Sequence, residues 1–366
     1  MSPDWGSVLS FCVLRGETGR ETGTEFQFLV QATRLSLVSA PISLVTGATG
    51  LVGYGIVKAL VARGDRVRAL VRDPGRAGKL LPASVELVDG DVTEPATLGA
   101  AVAGVELVFH AAGMPEQWQR DERVFDRVNR QGTKNVLEAS LGAGVRRVVY
   151  TSTMDVFAAP RGGTLHETNV DPDPKPTAYE RSKQAAEREA DEVERRGLDV
   201  VFVNPGAVYG PSLQTTALNA FIRKLLDGKV PLLPPGGMSV AYIDGVADAH
   251  VAAAERGRRR ERYLLGDEHL GMPELAAKVL RAANSSRQVP KTGPAALLRA
   301  LAAVSAPLAR AFGFHPLIAA GELSFLTWNA RVDSTKAQRE LGFKPMPSDE
   351  GLRRTVAALA ANSAGP

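Results

Sequence analysis

The chain has 366 residues, of which 44% are hydrophobic and 23% charged, so it can bury a large core as one composite domain or two packed ones. A formal net charge of only +4 argues against a nucleic-acid-binding protein. Cys12 is the only cysteine, which excludes an intrachain disulfide and a thiolate zinc cluster. No basic region precedes an apolar signal core, and no stretch approaches the roughly 20 apolar residues of a spanning helix. We therefore expect a cytoplasmic protein.

From residue 42 onward, short β-branched runs alternate with amphipathic or Ala-rich stretches, a pattern typical of βαβ units around a parallel sheet. We predict helices after Gly50, over 121–143 and over 177–196. These elements indicate a Rossmann-type, doubly wound parallel sheet of the α/β class. The predicted strands are 42–46, 66–71, 85–89, 106–111, 146–151 and 200–204.

The same pattern divides the chain into three parts. Residues 1–39 lack this periodicity and are expected to form a poorly ordered extension. Residues 40–210 contain the predicted sheet. From 211 to 366 the pattern loosens into shorter helices and Pro-rich turns, so we expect mainly a smaller, mostly helical substrate-binding lobe with some segments returning to the sheet.

The first predicted strand runs into a turn that contains Gly47, Gly50 and Gly53. Such a turn needs residues without Cβ if backbone N–H groups and the helix N-terminus are to approach a pyrophosphate. The spacing is Gly-x-x-Gly-x-x-Gly, unlike the Gly-x-Gly-x-x-Gly of long-chain dehydrogenases. Because the turn lies between a strand and a helix, it predicts a dinucleotide site rather than an ordinary turn. Three neighbours would also contact the cofactor: Thr49, Leu51 and Val52.

The tips of the second and third predicted strands bear on the type of dinucleotide. An NAD site usually places a carboxylate at the second tip, whereas an NADP site offers an arginine to the 2′-phosphate. Val71 occupies the acid position and Arg72 follows it, which favours NADP(H), with NAD(H) possible. The alternative for Arg72 is a solvated strand end. Asp91 is expected to face the adenine, or else to be a turn aspartate, and Val92 beside it is a further expected cofactor contact.

Tyr179 and Lys183 are four residues apart in a segment that is helical by pattern, so their side chains share one face. A phenol has a pKa of about 10, and an ammonium group beside it favours phenolate and lowers that value. Tyrosine can then exchange a proton with a substrate oxygen near neutral pH. Taken alone, this spacing is more often that of an ordinary surface helix.

The fifth predicted strand delivers Ser152, Thr153 and Asp155 to the carboxyl edge of the sheet, where ligands bind in open α/β folds. A hydroxyl at this edge could hydrogen-bond a substrate oxygen and orient it towards Tyr179. The alternative is a polar cluster that caps the following turn.

An ordered set of motifs resembles the extended short-chain dehydrogenases/reductases. This family includes sugar epimerases, dehydratases, dihydroflavonol-type reductases, 3β-hydroxysteroid dehydrogenases and hopanoid-associated members. The resemblance covers about residues 41–360 and implies that 40–210 is the NAD(P)-binding domain. The motifs are TGATGLVG at 46–53, GDV at 90–92, HAAG at 110–113, VNRQGTKNVLEAS at 128–140, VVYTST at 148–153, YERSK at 179–183, NPGAVYGP at 204–211 and VDSTKAQRELGFKP at 332–345.

The resemblance implies a catalytic trio of Thr153, Tyr179 and Lys183, in which Lys183 also holds the nicotinamide ribose. Thr153 is chosen over Ser152 because it aligns with the second hydroxyl of the family's Ser-Ser or Ser-Thr pair. Asn129 matches a family asparagine in the helix behind the site. The remaining cofactor contacts implied are Ala111 and Ala112 along the groove, and Pro205 and Gly206 near the nicotinamide.

Two departures from the family pattern concern the substrate. Nucleotide-sugar members typically carry an arginine that grips the diphosphate, where this chain has Met238. Dehydratases follow their Ser-Thr pair with Asp-Glu, where this chain has Met154 and Asp155. We therefore expect an NADP(H)-dependent oxidoreductase that interconverts a ketone and a secondary alcohol on a fairly apolar small molecule. The alternatives are an NAD-dependent sugar or nucleotide-sugar epimerase and a non-catalytic dinucleotide-sensing protein.

The remaining expectations concern partners. Residues 295–326 are rich in Ala and Leu and could contact a membrane surface, although Arg299 and Arg310 interrupt them and packing of the second lobe is the favoured interpretation. The basic run 256–262 is interpreted as a solvated helix end rather than a phosphate site. No metal is expected, because the five histidines show no paired ligand spacing. The family suggests a homodimer through helices 121–143 and 177–196.

Overall fold

The computed structural model describes residues 41–115, 118–212, 216–312 and 320–363. The extension predicted over residues 1–39 lies outside these ranges. The strands are β1 Ile42–Thr46, β2 Arg66–Val71, β3 Glu86–Asp89, β4 Val105–His110, β5 Arg147–Thr151, β6 Thr164–Leu165, β7 Val200–Pro205, β8 Ala207–Tyr209, β9 Gly237–Tyr242, β10 Arg262–Leu265, β11 Glu268–Gly271 and β12 Arg331–Val332.

Seven of these strands form one parallel sheet in the order β3-β2-β1-β4-β5-β7-β10. The chain starts in the middle at β1, moves out to β3, and then returns to build the other half from β4 onward. Thr46 at the end of β1 pairs with Leu70 on one side and His110 on the other, so the carboxyl ends are level at this reversal. A crevice for a ligand is expected at such a point.

Helices surround the sheet and continue through the C-terminal part. They are α1 Leu51–Ala62, α2 Pro74–Ala77, α3 Leu98–Val102, α4 Arg123–Phe125, α5 Gly132–Gly142, α6 Ala178–Arg195, α7 Ala217–Leu226, α8 Ile243–Arg256, α9 Met272–Ala282, α10 Ala295–Phe312, α11 Ala320–Trp328, α12 Thr335–Leu341 and α13 Ser348–Ser363. A π-helical segment, Asp126–Gln131, links α4 to α5. No helix in the described ranges is long and apolar enough to cross a membrane.

The core has two layers because alternate strand residues point to opposite faces of the sheet. Leu44 packs with α5 and α6, while its neighbour Val45 packs with α1 and α8. On β5, Val148 packs on the same face as Leu44, and Val149 packs on the same face as Val45. Both faces are therefore apolar and covered, as a parallel sheet requires.

A third apolar cluster lies in the C-terminal part, where α7, α9 and α13 pack together and α13 contacts β9. There β9 pairs with β8 and β11 in a separate three-stranded sheet. The observed architecture confirms the predicted α/β class, with a Rossmann-type sheet and a smaller, mostly helical C-terminal region.

The predicted elements need three corrections. A seventh strand, β10, was not among the predicted strands and extends the sheet beside β7, within the region from which some segments were expected to return to the sheet. The helix predicted over 121–143 is interrupted by the π-helical segment. The basic run 256–262 is not simply a solvated helix end, because Arg262 begins β10 with only 15% of its side chain exposed and pairs with Glu187 of α6 at 2.7 Å.

Candidate active site

The glycine turn between β1 and α1 depends on the absence of side chains. Gly47 has a φ of +69°, which disfavours residues with a Cβ. A Cβ at Gly47 would lie 2.7 Å from the carbonyl carbon of Ala111, and one at Gly53 would lie 2.2 Å from the carbonyl oxygen of Gly47. The turn is closed by a 2.9 Å hydrogen bond from Gly50 N to the Gly47 oxygen. The sequence therefore makes a tight turn against the end of β4.

The N-terminus of α1 opens at this turn. Gly50 is its N-cap and provides no side chain, and the first turn of the helix contains no acidic residue. Leu51 and Val52 begin the helix and pack partly against the C-terminal apolar cluster, while Thr49 is half-buried in the turn. Because the first amides of a helix lack intrahelical acceptors and carry partial positive charge, this arrangement fits a dinucleotide pyrophosphate.

The tips of β2 and β3 carry the residues predicted to select the cofactor. Arg72 is exposed directly after β2 and forms no ion pair with any described residue. Asp91 accepts 2.8 Å hydrogen bonds on Oδ1 from the amide and the hydroxyl of Thr93, so that oxygen serves the turn. Val92 is 7% exposed and packs in the core, where its carbonyl accepts a hydrogen bond from Asn135. Of the three, Arg72 has the most accessible side chain.

The two remaining pairs of residues that were predicted to contact the cofactor lie at the ends of β4 and β7. Ala111 and Ala112 follow β4, and their amides donate to the carbonyl and hydroxyl oxygens of Thr46, respectively. They therefore lie beside the glycine turn. Pro205 ends β7, and a Cβ at the next residue, Gly206, would lie 2.4 Å from the carbonyl oxygen of Ser239. Gly206 thus allows β7 and β9 to approach closely.

Helix α6 carries Tyr179 and Lys183. It begins at a capping box, in which the Thr177 hydroxyl accepts from the Glu180 amide and the Glu180 carboxylate accepts from the Thr177 amide. This box sets where the helix starts and hence where Tyr179 lies in its first turn. The ring of Tyr179 is half-buried and meets Phe125 edge to face, with centroids 6.0 Å apart.

Lys183 is held at the end of β5. Its Nζ donates to the Tyr150 hydroxyl at 2.8 Å and to the Thr151 carbonyl at 2.9 Å. The side chain is 6% exposed, and burial lowers the pKa of Lys183 to about 8, against the opposing effects of Glu187 and Asp155. Its cationic form is thus supported by two oxygens and by nearby carboxylates.

Tyr150, which sequence reasoning did not single out, belongs to a buried polar network behind Lys183. Its ring stacks on His110 at 5.5 Å, and burial raises the pKa of its phenol. The two ring nitrogens of His110 lie 2.7 Å from the Thr46 hydroxyl and 2.9 Å from that of Thr133. Burial and Lys183 lower the pKa of His110 to about 3, so this histidine is neutral. An aromatic residue within a strand resembles a core residue, so the sequence alone gave no signal for this role.

Thr153 and Asp155 form a buried pair immediately after β5. The Thr153 hydroxyl donates to Asp155 Oδ2 at 2.7 Å, and it accepts from the Asp155 amide at 3.2 Å. Burial, together with Glu180, raises the pKa of Asp155 to about 7, although the bond from Thr153 and the charges of Lys175 and Lys183 oppose the rise. Sequence reasoning placed Asp155 at this edge without giving it a role.

Three buried polar atoms at this edge have no hydrogen-bond partner among the described residues. They are Ser152 Oγ, Asp155 Oδ1 and Asn204 Oδ1. The side-chain Nδ2 of Asn204 donates to the Thr153 carbonyl, which connects β7 to the segment after β5. Since buried polar groups are normally satisfied, these atoms fit a site that receives a polar ligand.

Asn129 lies in the π-helical segment and connects three parts of the site. Its Oδ1 accepts from the Met114 amide at 2.7 Å, and its Nδ2 donates to the Met114 carbonyl and to the Ser182 hydroxyl. Ser182 in turn donates to the Tyr179 carbonyl at 2.6 Å. A π-helical insertion often marks a functional position, and here it turns the amide towards the chain after β4 and towards α6.

Comparison with known proteins places this geometry in a family. A family model described as the NAD dependent epimerase/dehydratase family matches residues 43–266. Sterol demethylase protein B of Methylococcus capsulatus is 31% identical over 320 residues, covering 86% of this chain and 97% of that protein. A 4-hydroxy-2-methyl-3-oxo-4-farnesyl-3,4-dihydroquinoline-1-oxide ketoreductase of Stigmatella aurantiaca is 34% identical over 233 residues, covering 62% and 68%.

A solved structure agrees over nearly the same length. The crystal structure of PA4631, a nucleoside-diphosphate-sugar epimerase from Pseudomonas aeruginosa, superposes with a TM-score of 0.73 at 25% identity, covering 88% of this chain and 98% of that one. With its glycine turn, its reversal of strand order and its Tyr179–Lys183 helix, the chain belongs to the NAD dependent epimerase/dehydratase family and is an NAD(P)-dependent enzyme of the extended short-chain dehydrogenase/reductase type.

Proposed function

We propose that the protein is an NADP(H)-dependent oxidoreductase that interconverts a ketone and a secondary alcohol on a fairly apolar small molecule. The observation that carries this proposal is the placement of Lys183. Its ammonium is held between the Tyr150 hydroxyl and the Thr151 carbonyl, one helical turn from Tyr179 and at the strand end that leads to Thr153. The helix that carries Tyr179 and Lys183 packs on the segment that holds Thr153, which supports the proposed roles of acid/base, cation and orienting hydroxyl.

Tyr179 is the acid/base in this proposal. In the reductive direction its phenol gives a proton to the carbonyl oxygen, and in the oxidative direction its phenolate takes the proton from the alcohol. Lys183 stabilises the phenolate by its charge. A dinucleotide held at the glycine turn and by Lys183 would supply or accept the hydride at the carbon atom, which balances the proton that Tyr179 exchanges.

Thr153 would orient the substrate oxygen, and Asp155 would control its hydroxyl proton. While Asp155 is ionised, Thr153 donates to that carboxylate and its proton is not available to the substrate. When Asp155 is protonated, its own O–H can donate to Thr153 Oγ1, which leaves the threonine proton for the substrate oxygen. Substrate orientation by Thr153 should therefore weaken as the pH rises through about 7, the pKa of Asp155.

Two observations support an apolar substrate. Met238, which stands where the family's diphosphate-binding arginine is expected, is 8% exposed and packs in the C-terminal apolar cluster. The chain after Thr153 also enters an apolar cluster that includes Met154 and Phe157 and is shared with Phe325 of α11. The names of the two curated relatives refer to a sterol and to a farnesylated ring, which agrees with this class.

The cofactor preference rests on Arg72 and is tested by calorimetric titration with NADPH and, separately, NADH. We expect NADPH to bind at least tenfold more tightly, and Arg72→Ala to abolish that difference, because the 2′-phosphate would lose its cation. Arg66→Ala is the matched control, since Arg66 is also exposed but lies at the opposite end of β2. Equal binding of both cofactors by the unmodified protein would refute the NADP(H) preference.

A sugar-nucleotide epimerase is the second candidate, favoured by the likeness to PA4631. An epimerase returns the hydride to the same substrate, so it shows no net change in the cofactor. Continuous NADPH consumption with an apolar ketone, lost in Tyr179→Phe, would establish the reductase. Interconversion of two nucleotide sugars without cofactor turnover would establish the epimerase instead.

A further inference from the structure

Helix α6 carries a further acidic side chain on the face of Tyr179 and Lys183. Glu187 follows Lys183 by four residues, so the two side chains share one side of the helix and start about 6 Å apart along its axis. Glu187 is 3% exposed. Acidic side chains are seldom buried to this extent unless they are paired, so the partners of this carboxylate decide what it does.

Two side chains from neighbouring strands hold the Glu187 carboxylate. Its Oε1 accepts from Nδ2 of Asn204 on β7 at 2.9 Å, and its Oε2 accepts from Nε of Arg262 on β10 at 2.7 Å. Asn204 is fully buried, and the Arg262 guanidinium lies over the ring of Phe202, 4.4 Å from its centroid. Both oxygens are therefore fixed, and the negative charge has one defined place under α6.

Asn204 also connects this carboxylate with the segment after β5. An amide Nδ2 has two hydrogens to donate. The Asn204 Nδ2 donates to Glu187 Oε1 and, at 3.1 Å, to the Thr153 carbonyl. The helix that carries Tyr179 and Lys183 is thus joined to the backbone of Thr153 through one shared amide.

The charge of Glu187 acts on Lys183 and on its hydrogen-bond acceptor. Burial lowers the pKa of Lys183 to about 8, and Glu187 opposes this effect more strongly than Asp155 does. Burial and Glu187 also raise the pKa of the Tyr150 phenol, so the group that accepts from Lys183 stays a neutral hydroxyl. A nearby negative charge in a site with little water favours the ammonium form of a lysine.

Other elements also bring titratable groups to this place. Asp155 has a pKa of about 7, so it carries only part of its negative charge near neutral pH. His110 is neutral there, because burial and Lys183 lower its pKa to about 3. Near neutral pH, Lys183 therefore depends mainly on Glu187 for a negative charge. Among the described residues, the titratable or charged groups around Lys183 and Glu187 are His110 on β4, Tyr150 on β5, Asp155 after β5, Tyr179 and Asp191 on α6, and Arg262 on β10.

We propose that Glu187 is a positioning residue that keeps Lys183 cationic beside Tyr179 and fixes α6 to the Thr153 segment. The inference rests on the proposed function, which gives Tyr179, Lys183 and Thr153 their roles. Glu187 acts through Lys183 and Asn204 rather than on the substrate. Without its charge, Lys183 would lose its proton at a lower pH, and the Tyr179 phenolate would lose the cation that stabilises it.

The test is an NMR titration of the full chain, made without cofactor or substrate and with ¹³C at Cε of its lysines. The Lys183 resonance is identified by its absence from Lys183→Met, and its shift with pH gives the pKa of Lys183. We expect a value near 8 in the unmodified protein. Glu187→Gln should lower it by about one unit or more, a tenfold weaker binding of the proton, because a negative charge is removed. Glu187→Asp, which returns the charge, should reverse most of that change.

The matched control is Glu194→Gln on the same helix. Glu194 has 9% of its side chain exposed and pairs with Arg259 at 2.6 Å, but it lies about 16 Å farther along the helix than Lys183. This variant removes a similar ion pair and should leave the pKa of Lys183 unchanged. An unchanged value in Glu187→Gln would overturn the proposal, and so would an equal fall in Glu194→Gln or in Glu187→Asp.

Glu187→Gln should remain folded, because Arg262 keeps Asp191 as a partner at 3.3 Å. The pair Glu187→Gln/Arg262→Gln, whose two amides can bond each other, should show the same lowered pKa and provides the test if the single variant does not fold. The titration is independent of the reaction. A lowered pKa in a protein that reduces no apolar ketone would refute the reductase and support the role of Glu187, whereas ketone reduction with an unchanged pKa in Glu187→Gln would do the opposite.

Discussion

Replacing Asp155 with asparagine should stabilise the protein, and more so at high pH. Burial raises the pKa of this carboxyl from 3.8 to about 7, so the folded state retains its proton where the unfolded chain has lost it. The stability that depends on this proton is complete below pH 3.8 and is lost as the pH rises to about 7. Since a tenfold change in ionisation corresponds to about 1.36 kcal/mol, the full loss is about 4 kcal/mol. Asparagine has nearly the same shape and no charge to bury.

Urea unfolding of both proteins at pH 5 and pH 8 measures this difference. About 2.5 kcal/mol of the loss falls between these two values, so the advantage of Asp155→Asn should grow by that amount. Titrating groups that do not interact with Asp155 cancel because both proteins contain them unchanged. Asp173→Asn is the control, since Asp173 is exposed and its replacement removes no buried charge. A stability difference that stays constant from pH 5 to pH 8 would refute the reasoning.

Two further predictions concern the glycine turn and the last strand of the sheet. Gly47→Ala should reduce NADPH affinity at least tenfold by calorimetry, whereas Gly64→Ala, also at positive φ but with nothing within 4 Å of its new Cβ, should leave it unchanged. Arg262→Met should lower the free energy of unfolding by about 3 kcal/mol or more, because Glu187 is left buried without its cation. Arg258→Met, which removes an exposed ion pair, should cost clearly less, and equal losses would contradict this account.

Much of the sheet could be predicted because each of its first six strands in chain order contains a short apolar stretch between turns. The N-terminus of α6, beside the site, can also be predicted from the sequence, since Thr177 and Glu180 have the spacing of a capping box. Strand β10 was missed because it has only four residues and begins with an arginine, which by composition belongs at the surface. Its burial depends on Glu187, which is 75 residues away in sequence.

The candidate site was predictable where chemistry follows from local spacing. Gly47 and Lys183 stand at positions that a turn and a helix face define. The partners of Lys183 and Asp155 were not predictable, because Tyr150 resembles a core residue and the burial of Asp155 depends on how α6 packs against the segment after β5. Side-chain direction and desolvation are properties of the folded core, and no local pattern records them.

The late position of β10 has a consequence for how the chain folds. Strand β7 ends at residue 205, but its outer neighbour β10 comes much later, at residues 262–265. Helices α7 and α8 lie between the two strands in the chain. Until then, a growing chain would expose the edge of β7, a fully buried hydrophobic strand in the folded protein. Closing that edge requires a loop of more than 50 residues, so it is a slow, non-local step. A chain that stops before residue 262 should consequently be prone to aggregate through this strand, even though all six preceding strands of the sheet are present.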